Sequence, residues 1–361
     1  MSAKRVCLLP EGKNVYKANL HCHSTISDGR FTPEEIKDLY KTQGYQVVAL
    51  TDHEVMVPHE DLCDEDFLIL TSYELAVYGD RHLPKLMRRL SHLNLYAKKP
   101  GMKKMPFFNT ADVLKLDKPP DITKACFDGP EIEKEYSVEG LNRLIRMARE
   151  KDFLVCYNHP TWSMEDASVY TNLEGLFGME IFNTDCEVGG YPSYCPYIYD
   201  EMLRSGQRIA AVATDDTHKR EDLFGGFTMI CADSLDYEKI TDAMERGDLY
   251  ASRGPLIRAL WFEDDIFHIE TSPVRQIVVT NSGRRKEAIS VKKAASGELI
   301  TSAEFPLSDL DLYVRFTAED ERGLTANTRG YLRAEFTDEP ASIPDLLHRK
   351  VGNVPEKASE V

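Results

Sequence analysis

The segment NLHCHSTISDG, residues 19–29, places two imidazoles and a carboxylate close together in the chain. His21 and His23 are two residues apart, so in an extended strand both side chains point to the same face. Asp28 follows in a turn, where Gly29 permits a sharp reversal of the backbone. Two imidazoles on one face are suited to binding a divalent cation. An isolated pair of this kind is equally compatible with buried structural histidines, so the rest of the chain has to decide.

Histidines and acidic residues recur at or near the ends of other strand-like segments. They are Asp52 and His53 in YQVVALTDH, Glu74 in FLILTSYEL, His92 in LSHLNLYA, His159 in DFLVCYNHP, and Asp216 and His218 in QRIAAVATDDTH. Each motif alone is weak, but random placement would not put a histidine or acid at nearly every strand end. Imidazole and carboxylate ligands without thiolates favour Zn, Mn or Fe in a catalytic site.

The elements that position these residues alternate along the chain as far as about residue 255. Short apolar runs are followed by helical patterns, which predicts parallel α/β architecture, either a barrel or a doubly wound sheet. Thr32, Pro33 and Glu35 predict a capped helix start, and Gly44 predicts its end. No GxGxxG motif follows a strand, which disfavours a Rossmann fold. In a barrel, the carboxyl ends of the strands converge on one mouth, where the chemistry is placed.

Two parts of the chain depart from this alternation. Residues 81–135, rich in Lys, Arg and Pro, interrupt it and are interpreted as an insertion into a domain that spans residues 1–255. Residues 256–345 alternate polar and apolar positions with no long helix, which predicts a small β-rich C-terminal module. Its last predicted strand is GYLRAEFTDE, beginning at residue 330. Residues 346–361 read as a polar tail.

Composition limits the partners of this 361-residue chain. Its formal net charge of −16 argues against sequence-independent nucleic-acid binding, which requires a basic face. No apolar run approaches the roughly 18–20 residues of a membrane span, and the N-terminus lacks the apolar core of a signal peptide. The eight cysteines form no CxxC pair, so we expect reduced cysteines in a cytoplasmic protein.

The set HCHSTISDG, TDH, the glutamate of YEL, HLN, NHP and DDTH, taken in order over about residues 15–255, resembles the polymerase and histidinol phosphatase (PHP) family of metallohydrolases. The resemblance implies a distorted (β/α)7 barrel that holds two to three divalent metal ions (Zn, Mn or Fe). The implied ligand sets are His21, His23, Glu74 and Asp216 for one ion, Glu74, His92 and His159 for a second, and Asp28, His53 and His218 for a third. GLFGMEIFN, YASRGP and the β-rich extension are similar to the CehA/McbA-like subgroup.

These ligands imply hydrolysis by a metal-activated water. The leading hypothesis is a phosphoesterase that acts on a small anionic, phosphorylated molecule. A hydrolase of carbamates, esters or amides would use the same site, and a nuclease is disfavoured by the acidic balance. A non-catalytic binding module would be expected to have lost some of the ligands. The sequence does not specify the substrate, the native metal or the oligomeric state.

Several residues beside the ligands are candidates for supporting roles. Asp52 would orient an imidazole or accept a proton, with a plain turn role as the alternative. Arg253, and after it Arg30, would bind the substrate anion, because a guanidinium grips two phosphate oxygens. Glu180 in MEIFN would orient the ligands from behind, with structural packing as the alternative. Ser24 is not expected to be a nucleophile, since the chain contains no GxSxG motif.

Overall fold

A computed structural model of the chain describes residues 5–80, 82–84, 87–109, 126–127, 129–283, 289–293, 298–307 and 313–337. The predicted tail at 346–361 and residues 110–125 of the predicted insertion lie outside these residues. The strands are β1 (Val6–Leu9), β2 (Asn14–Asn19), β3 (Val47–Leu50), β4 (Leu68–Tyr78), β5 (Leu90–Ala97), β6 (Phe153–Tyr157), β7 (Gly178–Asn183), β8 (Ala210–Thr214), β9 (Phe227–Ala232), β10 (Leu249–Ser252), β11 (Ile257–Glu263), β12 (Ile266–Val274), β13 (Gln276–Asn281), β14 (Ile289–Lys293), β15 (Ile300–Pro306), β16 (Tyr313–Glu319), β17 (Thr325–Thr328) and β18 (Tyr331–Leu332).

The α-helices of the described residues are mostly short and follow the strands that they cover. They are α1 (Pro33–Thr42), α2 (Val138–Glu150), α3 (Pro160–Ser163), α4 (Ala167–Tyr170), α5 (Thr184–Val188), α6 (Pro196–Arg204), α7 (Tyr237–Arg246) and α8 (Arg333–Phe336). Single 3-10 turns occupy Glu60–Leu62 and Arg220–Asp222. Among the described residues, none of these helices has the length and apolar character needed to cross a membrane.

Helix α1 shows how local sequence determines an element. Thr32 caps it, and the Glu35 side chain completes the predicted capping box. Pro33 occupies the first helical position, and Gly44 follows the end of the helix with φ +74°. A left-handed residue at this place stops a helix, because only glycine adopts that conformation without a steric cost. The predicted start and end of this helix are therefore confirmed.

The large sheet combines parallel and antiparallel pairs. It contains 14 strands in the order β14-β13-β16-β17-β10-β9-β2-β3-β4-β5-β6-β7-β8, with β18 beside β16. Strands β2, β3 and β4 are parallel neighbours, and so are β6, β7 and β8. Strand β5, which lies within the predicted insertion, is antiparallel to both β4 and β6. The fold is therefore mixed α/β with a parallel component.

The expected (β/α)7 barrel is not closed by the strand pairing of the described residues. The hydrogen-bonded order begins at β14 and ends at β8, and β9 joins β2 in an antiparallel sense. One isolated parallel bridge, between Cys22 and Thr217, links the segments that follow β2 and β8. The carboxyl ends of these two strands therefore meet, as in a barrel, although no ladder joins them.

The C-terminal region is β-rich, as predicted. A second sheet, in the order β1-β11-β12-β15, packs against strands of the large sheet through a phenylalanine-rich core. Phe267 in this core contacts Phe316 of the large sheet, with ring centroids 5.7 Å apart. The predicted final strand is wrong in part, since only Tyr331–Leu332 is extended and Arg333–Phe336 forms one helical turn. The Phe336 side chain is buried against this core, so packing determines the local structure there.

Candidate metal centre

The HCH segment lies beside the DDTH segment. The two histidines were expected within a strand. Strand β2 ends at Asn19, however, so His21 and His23 lie just beyond it. The His21 carbonyl accepts a hydrogen bond from the amide of Asp216 (2.9 Å), and the His23 amide donates to the Thr217 carbonyl (3.0 Å). This extended pairing turns both imidazoles to the same side and brings the Asp216 carboxylate to them.

Glu74, in the middle of β4, is surrounded by imidazoles. Its Oε1 lies 2.9 Å from His92 Nδ1 and 3.3 Å from His159 Nε2. Its Oε2 lies 2.8 Å from His53 Nδ1 and 3.5 Å from His23 Nε2. A fifth imidazole, His21, lies with its Nε2 3.4 Å from Glu74 Oε1. A carboxylate in this position can serve several cations, because each oxygen faces a different group of nitrogens.

Three buried ligand atoms converge beside Glu74. His21 Nε2, His23 Nε2 and Asp216 Oδ1 are each 3.1 Å from the other two. Glu180 accepts a hydrogen bond from His21 Nδ1 (2.7 Å), so Nε2 is the nitrogen that carries a lone pair when this imidazole is neutral. Against burial, Asp216, Glu180 and Glu74 raise the pKa of His21 well above its ordinary value, so a cation at Nε2 would replace a proton there. Asp216 Oδ1 and His92 Nδ1 are buried and make no hydrogen bond of good geometry, although imidazole nitrogens lie 3.1 Å from the first and Glu74 Oε1 lies 2.9 Å from the second.

Such convergence of imidazole nitrogens and a carboxylate oxygen fits a cation. Four ligands about 2.0–2.1 Å from a tetrahedral zinc ion are about 3.3 Å apart, close to the observed separations. Buried polar atoms without partners are costly unless a ligand completes them. The residues present therefore suit divalent metal binding.

Grouping by distance gives sets close to those expected. The groups whose ligand atoms all lie within 4.8 Å of one another are His21–His23–Glu74, His21–His159–Asp216, Glu74–His92–His159, His23–Asp28–His53–His218, and Asp185–His218–Asp222. The structure thus brings together all nine residues expected as ligands, hereafter the histidine cluster. Four details differ from the expectation. His23 also groups with Asp28, Glu74 also contacts His53, His159 also groups with His21 and Asp216, and the group Asp185–His218–Asp222 was not expected.

Burial and the neighbouring charges set the protonation of the cluster. Burial, with the neighbouring His218 and His53, lowers the pKa of His23 to about 3. Burial also lowers the pKa of His92 to about 4, despite the opposing charge of Glu74. For His53, burial is outweighed by Glu74, Asp28 and Asp216, which together raise its pKa to about 9. His23 and His92 are consequently neutral, as metal-binding imidazoles must be.

The carboxylates show the opposite balance. Burial alone would raise the pKa of Glu74, but His92, His21 and His53 hold it well below its ordinary value. The pKa of Asp216 is lowered in the same way, against burial, by His21, His23 and His218. Once a cation takes the place of the protons on the imidazoles, the ionised carboxylates and the imidazole nitrogens form a donor set for borderline divalent metals.

Glu180 on β7 holds the cluster from behind. Its Oε1 accepts from His21 Nδ1 (2.7 Å) and from Thr214 Oγ1 (2.9 Å). Its Oε2 accepts from Asn183 Nδ2 (3.0 Å) and from the His159 amide (3.1 Å). All four contacts fix residues that carry or support ligands. This arrangement, in which a carboxylate orients a histidine, is the usual support of a metal-binding imidazole.

Asp52 supports a turn. Its carboxylate accepts hydrogen bonds from the Ser24 amide and hydroxyl (2.8 Å each) and from the Ser27 amide (3.1 Å) and hydroxyl (2.6 Å). The expected hydrogen bond to an imidazole is not among its contacts in the described residues. A Cβ on Gly29 would lie 2.1 Å from the His23 carbonyl oxygen, so this turn requires glycine. Asp52 and Gly29 together place Asp28 near His23.

The cluster is closed on one side and open on the other. His21 and His23 are fully buried, whereas the side chains of Asp28, His218 and His53 are 48%, 26% and 17% exposed. The open side, formed by these last three residues, is called the mouth. A substrate would approach through it.

The basic residues expected at the site differ in their availability. Arg253 donates to Glu187 (2.6 Å) and lies over the Phe182 ring (4.0 Å), so its charge is already paired. The exposed Arg30 donates its backbone amide to the His218 carbonyl (2.9 Å), which places it beside the mouth. No acidic partner of its guanidinium is found among the described residues. Of the two arginines, Arg30 is therefore the one whose guanidinium is open to an anion, while the expected priority of Arg253 in substrate binding stays a prediction.

Backbone strain coincides with the cluster. His159 and Asp216 have positive φ values of 20° and 53°. A residue other than glycine in such a conformation costs on the order of 1–3 kcal/mol, and such strain concentrates at functional sites. Each lies two residues after the end of a buried strand, where the turn brings His159 Nε2 to Glu74 (3.3 Å) and Asp216 Oδ1 to His21 and His23 (3.1 Å each).

Sequence reasoning missed some members of the site. Asn158 donates to Glu74 Oε1 (2.8 Å), and Asn183 donates to Asp216 Oδ2 (3.1 Å). Trp162 packs against His92 and His159, with ring centroids 5.3 and 5.1 Å away. The signal for Asn158 was its place in NHP, directly before a ligand. Trp162 carried no signal, because its contact with His92 depends on tertiary structure.

No protein-family model and no curated protein matches the sequence. Among solved structures, a two-domain protein from Bacteroides vulgatus containing a predicted PHP-like metal-dependent phosphoesterase is similar at 14% identity and a TM-score of 0.45, over 90% of this chain and 98% of that one. A candidate metal-dependent phosphoesterase from Bifidobacterium adolescentis matches at 16% identity and a TM-score of 0.37, over 58% of this chain and 90% of its own. An amidohydrolase from Chromobacterium violaceum, with bound sulfate and no metal, matches at 15% identity and a TM-score of 0.35, over 57% of this chain and 89% of its own. At these scores the likenesses carry no functional argument.

Proposed function

We propose that the protein is a divalent-metal-dependent hydrolase, most simply a phosphoesterase of small anionic esters, related to the PHP family. The observation that carries this proposal is the convergence of His21 Nε2, His23 Nε2 and Asp216 Oδ1, three buried ligand atoms from two segments that lie 3.1 Å from one another. The proposed ligands are the nine residues of the histidine cluster, with Glu74 shared between groups.

Bound divalent cations would acidify water and offset negative charge on the substrate. The protein supplies the arrangement around them. Glu180 holds the His21 tautomer with its Nε2 lone pair inward, and Asn158 fixes one oxygen of Glu74. Arg30, at the mouth, would orient the anionic group of an entering substrate.

Hydrolysis of carboxylic esters, carbamates or amides by the same residues is the second candidate. The observation that favours it is the pairing of cationic side chains near the site, since Arg253 and Lys219 both contact carboxylates. A dianionic phosphoester would benefit from free cationic groups more than an uncharged ester would.

The test is a hydrolysis screen of the purified protein after supplementation with Zn, Mn or Fe. Phosphomonoesters, phosphodiesters, carboxylic esters and carbamates of one common alcohol form the panel, and His21→Ala is the matched control. We expect phosphate release that depends on metal and is lost in the control. Metal-dependent turnover of carbamate alone would favour the second candidate, and equal rates in wild type and His21→Ala would refute both.

A further inference from the structure

Trp162 is the aromatic residue in contact with the rings of two proposed ligands. Its indole centroid lies 5.3 Å from the His92 ring and 5.1 Å from the His159 ring. His92 and His159 belong to the same group around Glu74. Trp162 is only partly buried, so part of the indole is open to solvent beside these ligands.

The indole is held in place from both ends of its segment. His159 precedes helix α3, and Ser163 at the end of the helix lies with its Oγ 3.3 Å from His159 Nδ1. Thr161 donates to the Pro192 carbonyl (2.5 Å), which ties this segment to the loop after α5. A ring whose flanking residues are anchored loses little further freedom on contact with a ligand.

The segments that flank Trp162 expose large apolar side chains. Met164 is 51% exposed, and in the segment joined through Pro192, Val188 and Tyr191 are 45% and 49% exposed. Exposed apolar groups next to a polar site are typical of ligand-binding surfaces. The mouth, in contrast, carries Asp28, His218 and the neighbouring Arg30. The surroundings of the histidine cluster therefore have an ionic side and an apolar, aromatic side.

We infer that Trp162 is the platform for the organic group of the substrate and that the preferred substrates are esters of aromatic alcohols. This inference rests on the proposed function, because it places the aromatic ring of the substrate next to the anionic ester group that would be hydrolysed. A planar ring stacks on the indole, and its apolar surface is removed from water there. A small aliphatic group covers less of the indole, so it removes less apolar surface from water and should bind more weakly.

The test measures binding, so it does not depend on turnover. The chain has two tryptophans, and the Trp261→Phe variant leaves Trp162 as the single fluorophore. This variant, loaded with zinc, is titrated with phenylphosphonate and with methylphosphonate, two anions that are not hydrolysed. We expect phenylphosphonate to bind about tenfold more tightly and to change the indole emission, while methylphosphonate changes it little.

Two substitutions at the platform complete the test, with affinities measured by calorimetry. Trp162→Leu should reduce the preference for the phenyl ligand to less than about threefold, and Trp162→Phe should retain most of it, because an aromatic face remains. Trp261→Phe should bind both ligands as wild type does. Equal affinities in wild type, or a phenyl preference that survives in a folded Trp162→Leu protein, would overturn the inference. Failure of the proposed function is distinguishable, since it would appear as absence of metal-dependent hydrolysis across the ester panel.

Discussion

The histidine cluster and the contact between Arg315 and Asp200 are both buried and charged, but only one of them is complete. Arg315 on β16 donates through Nε to Asp200 Oδ1 (2.6 Å) and through Nη2 to Oδ2 (2.8 Å), and its Nη1 donates to Thr317 (2.9 Å). Each of the three guanidinium nitrogens there donates to an acceptor. In the histidine cluster, ligand atoms of three residues converge, and Asp216 Oδ1 makes no hydrogen bond of good geometry. Buried charge that is satisfied within the chain has a structural role, whereas convergent, unsatisfied ligand atoms indicate a bound partner.

The same difference separates two adjacent residues. Asp215 accepts hydrogen bonds from the Tyr40 and Thr184 hydroxyls and from the amides of residues 224–226. Asp216, next to it, leaves Oδ1 without a hydrogen bond. The hydrogen bonds of Asp215 hold the backbone that presents Asp216. Residue type and sequence position do not distinguish the two, but their contacts do.

The largest effect is expected where the cluster is broken. Asp216→Asn keeps the shape of the side chain but removes the charge that the cations require. Hydrolysis should fall to the level of the buffer control, and bound metal should decrease by at least one equivalent. The free energy of unfolding of the metal-free protein, measured in urea, should fall less than in Arg315→Met, because the amide keeps the shape of the side chain and an oxygen for the hydrogen bond from Asn183. Wild-type activity, or a large loss of metal-free stability, would contradict the comparison.

The contact between Arg315 and Asp200 should show the reverse pattern. Arg315→Met leaves Asp200 without a partner and should lower the free energy of unfolding by about 3 kcal/mol, measured by urea denaturation. Metal content should remain unchanged. The double variant Arg315→Met/Asp200→Leu removes both charges and should recover most of the loss. If Arg315→Met were as stable as wild type, the Arg315–Asp200 contact would have no structural role, and its contrast with the histidine cluster would fail.

A smaller effect is expected behind the ligands. Glu180→Gln weakens the orientation of His21 and should lower metal affinity about 10–100-fold, measured by competition with a chromophoric chelator. The unfolding free energy of the metal-free protein should change less than the binding free energy does. If stability fell and metal affinity did not, Glu180 would belong with the structural contacts.

The smallest effect is expected at Arg253. Because it is paired with Glu187, Arg253→Met should change KM less than about threefold and stability by less than about 1 kcal/mol. Arg30→Met should raise KM about tenfold, since its guanidinium is available to an anion. The comparison requires steady-state kinetics with one phosphomonoester. A larger effect at Arg253 than at Arg30 would restore the order expected from sequence.

The sequence was informative where local chemistry determines structure. Thr32 and Glu35 begin α1 as predicted, and the spacing of His21 and His23 directs both imidazoles to one side. It was uninformative where the outcome depends on pairing between distant strands. The antiparallel direction of β5 and the open order of the large sheet follow from long-range hydrogen bonds, which no local pattern encodes.

Supporting residues were harder to predict than ligands for the same reason. Asp52 was expected either to orient an imidazole or to have a plain turn role, and its four hydrogen bonds to Ser24 and Ser27 favour the turn role. Lys134, within the predicted insertion, is buried and donates to both carboxylate oxygens of Glu54 at 2.6 Å. Glu54 directly follows the proposed ligand His53 in the chain. A lysine in a basic, proline-rich segment gives no sign that it is buried, because only the fold brings Glu54 to it.

The most direct measurement of the central claim is anomalous diffraction at the zinc absorption edge from crystals of the zinc-supplemented protein. The account predicts anomalous peaks among His21, His23 and Asp216 and beside Glu74, with no peak at Arg315 and Asp200. The Asp216→Asn variant should lose the first of these peaks. Zinc-supplemented crystals with no anomalous density anywhere in the histidine cluster would contradict the account.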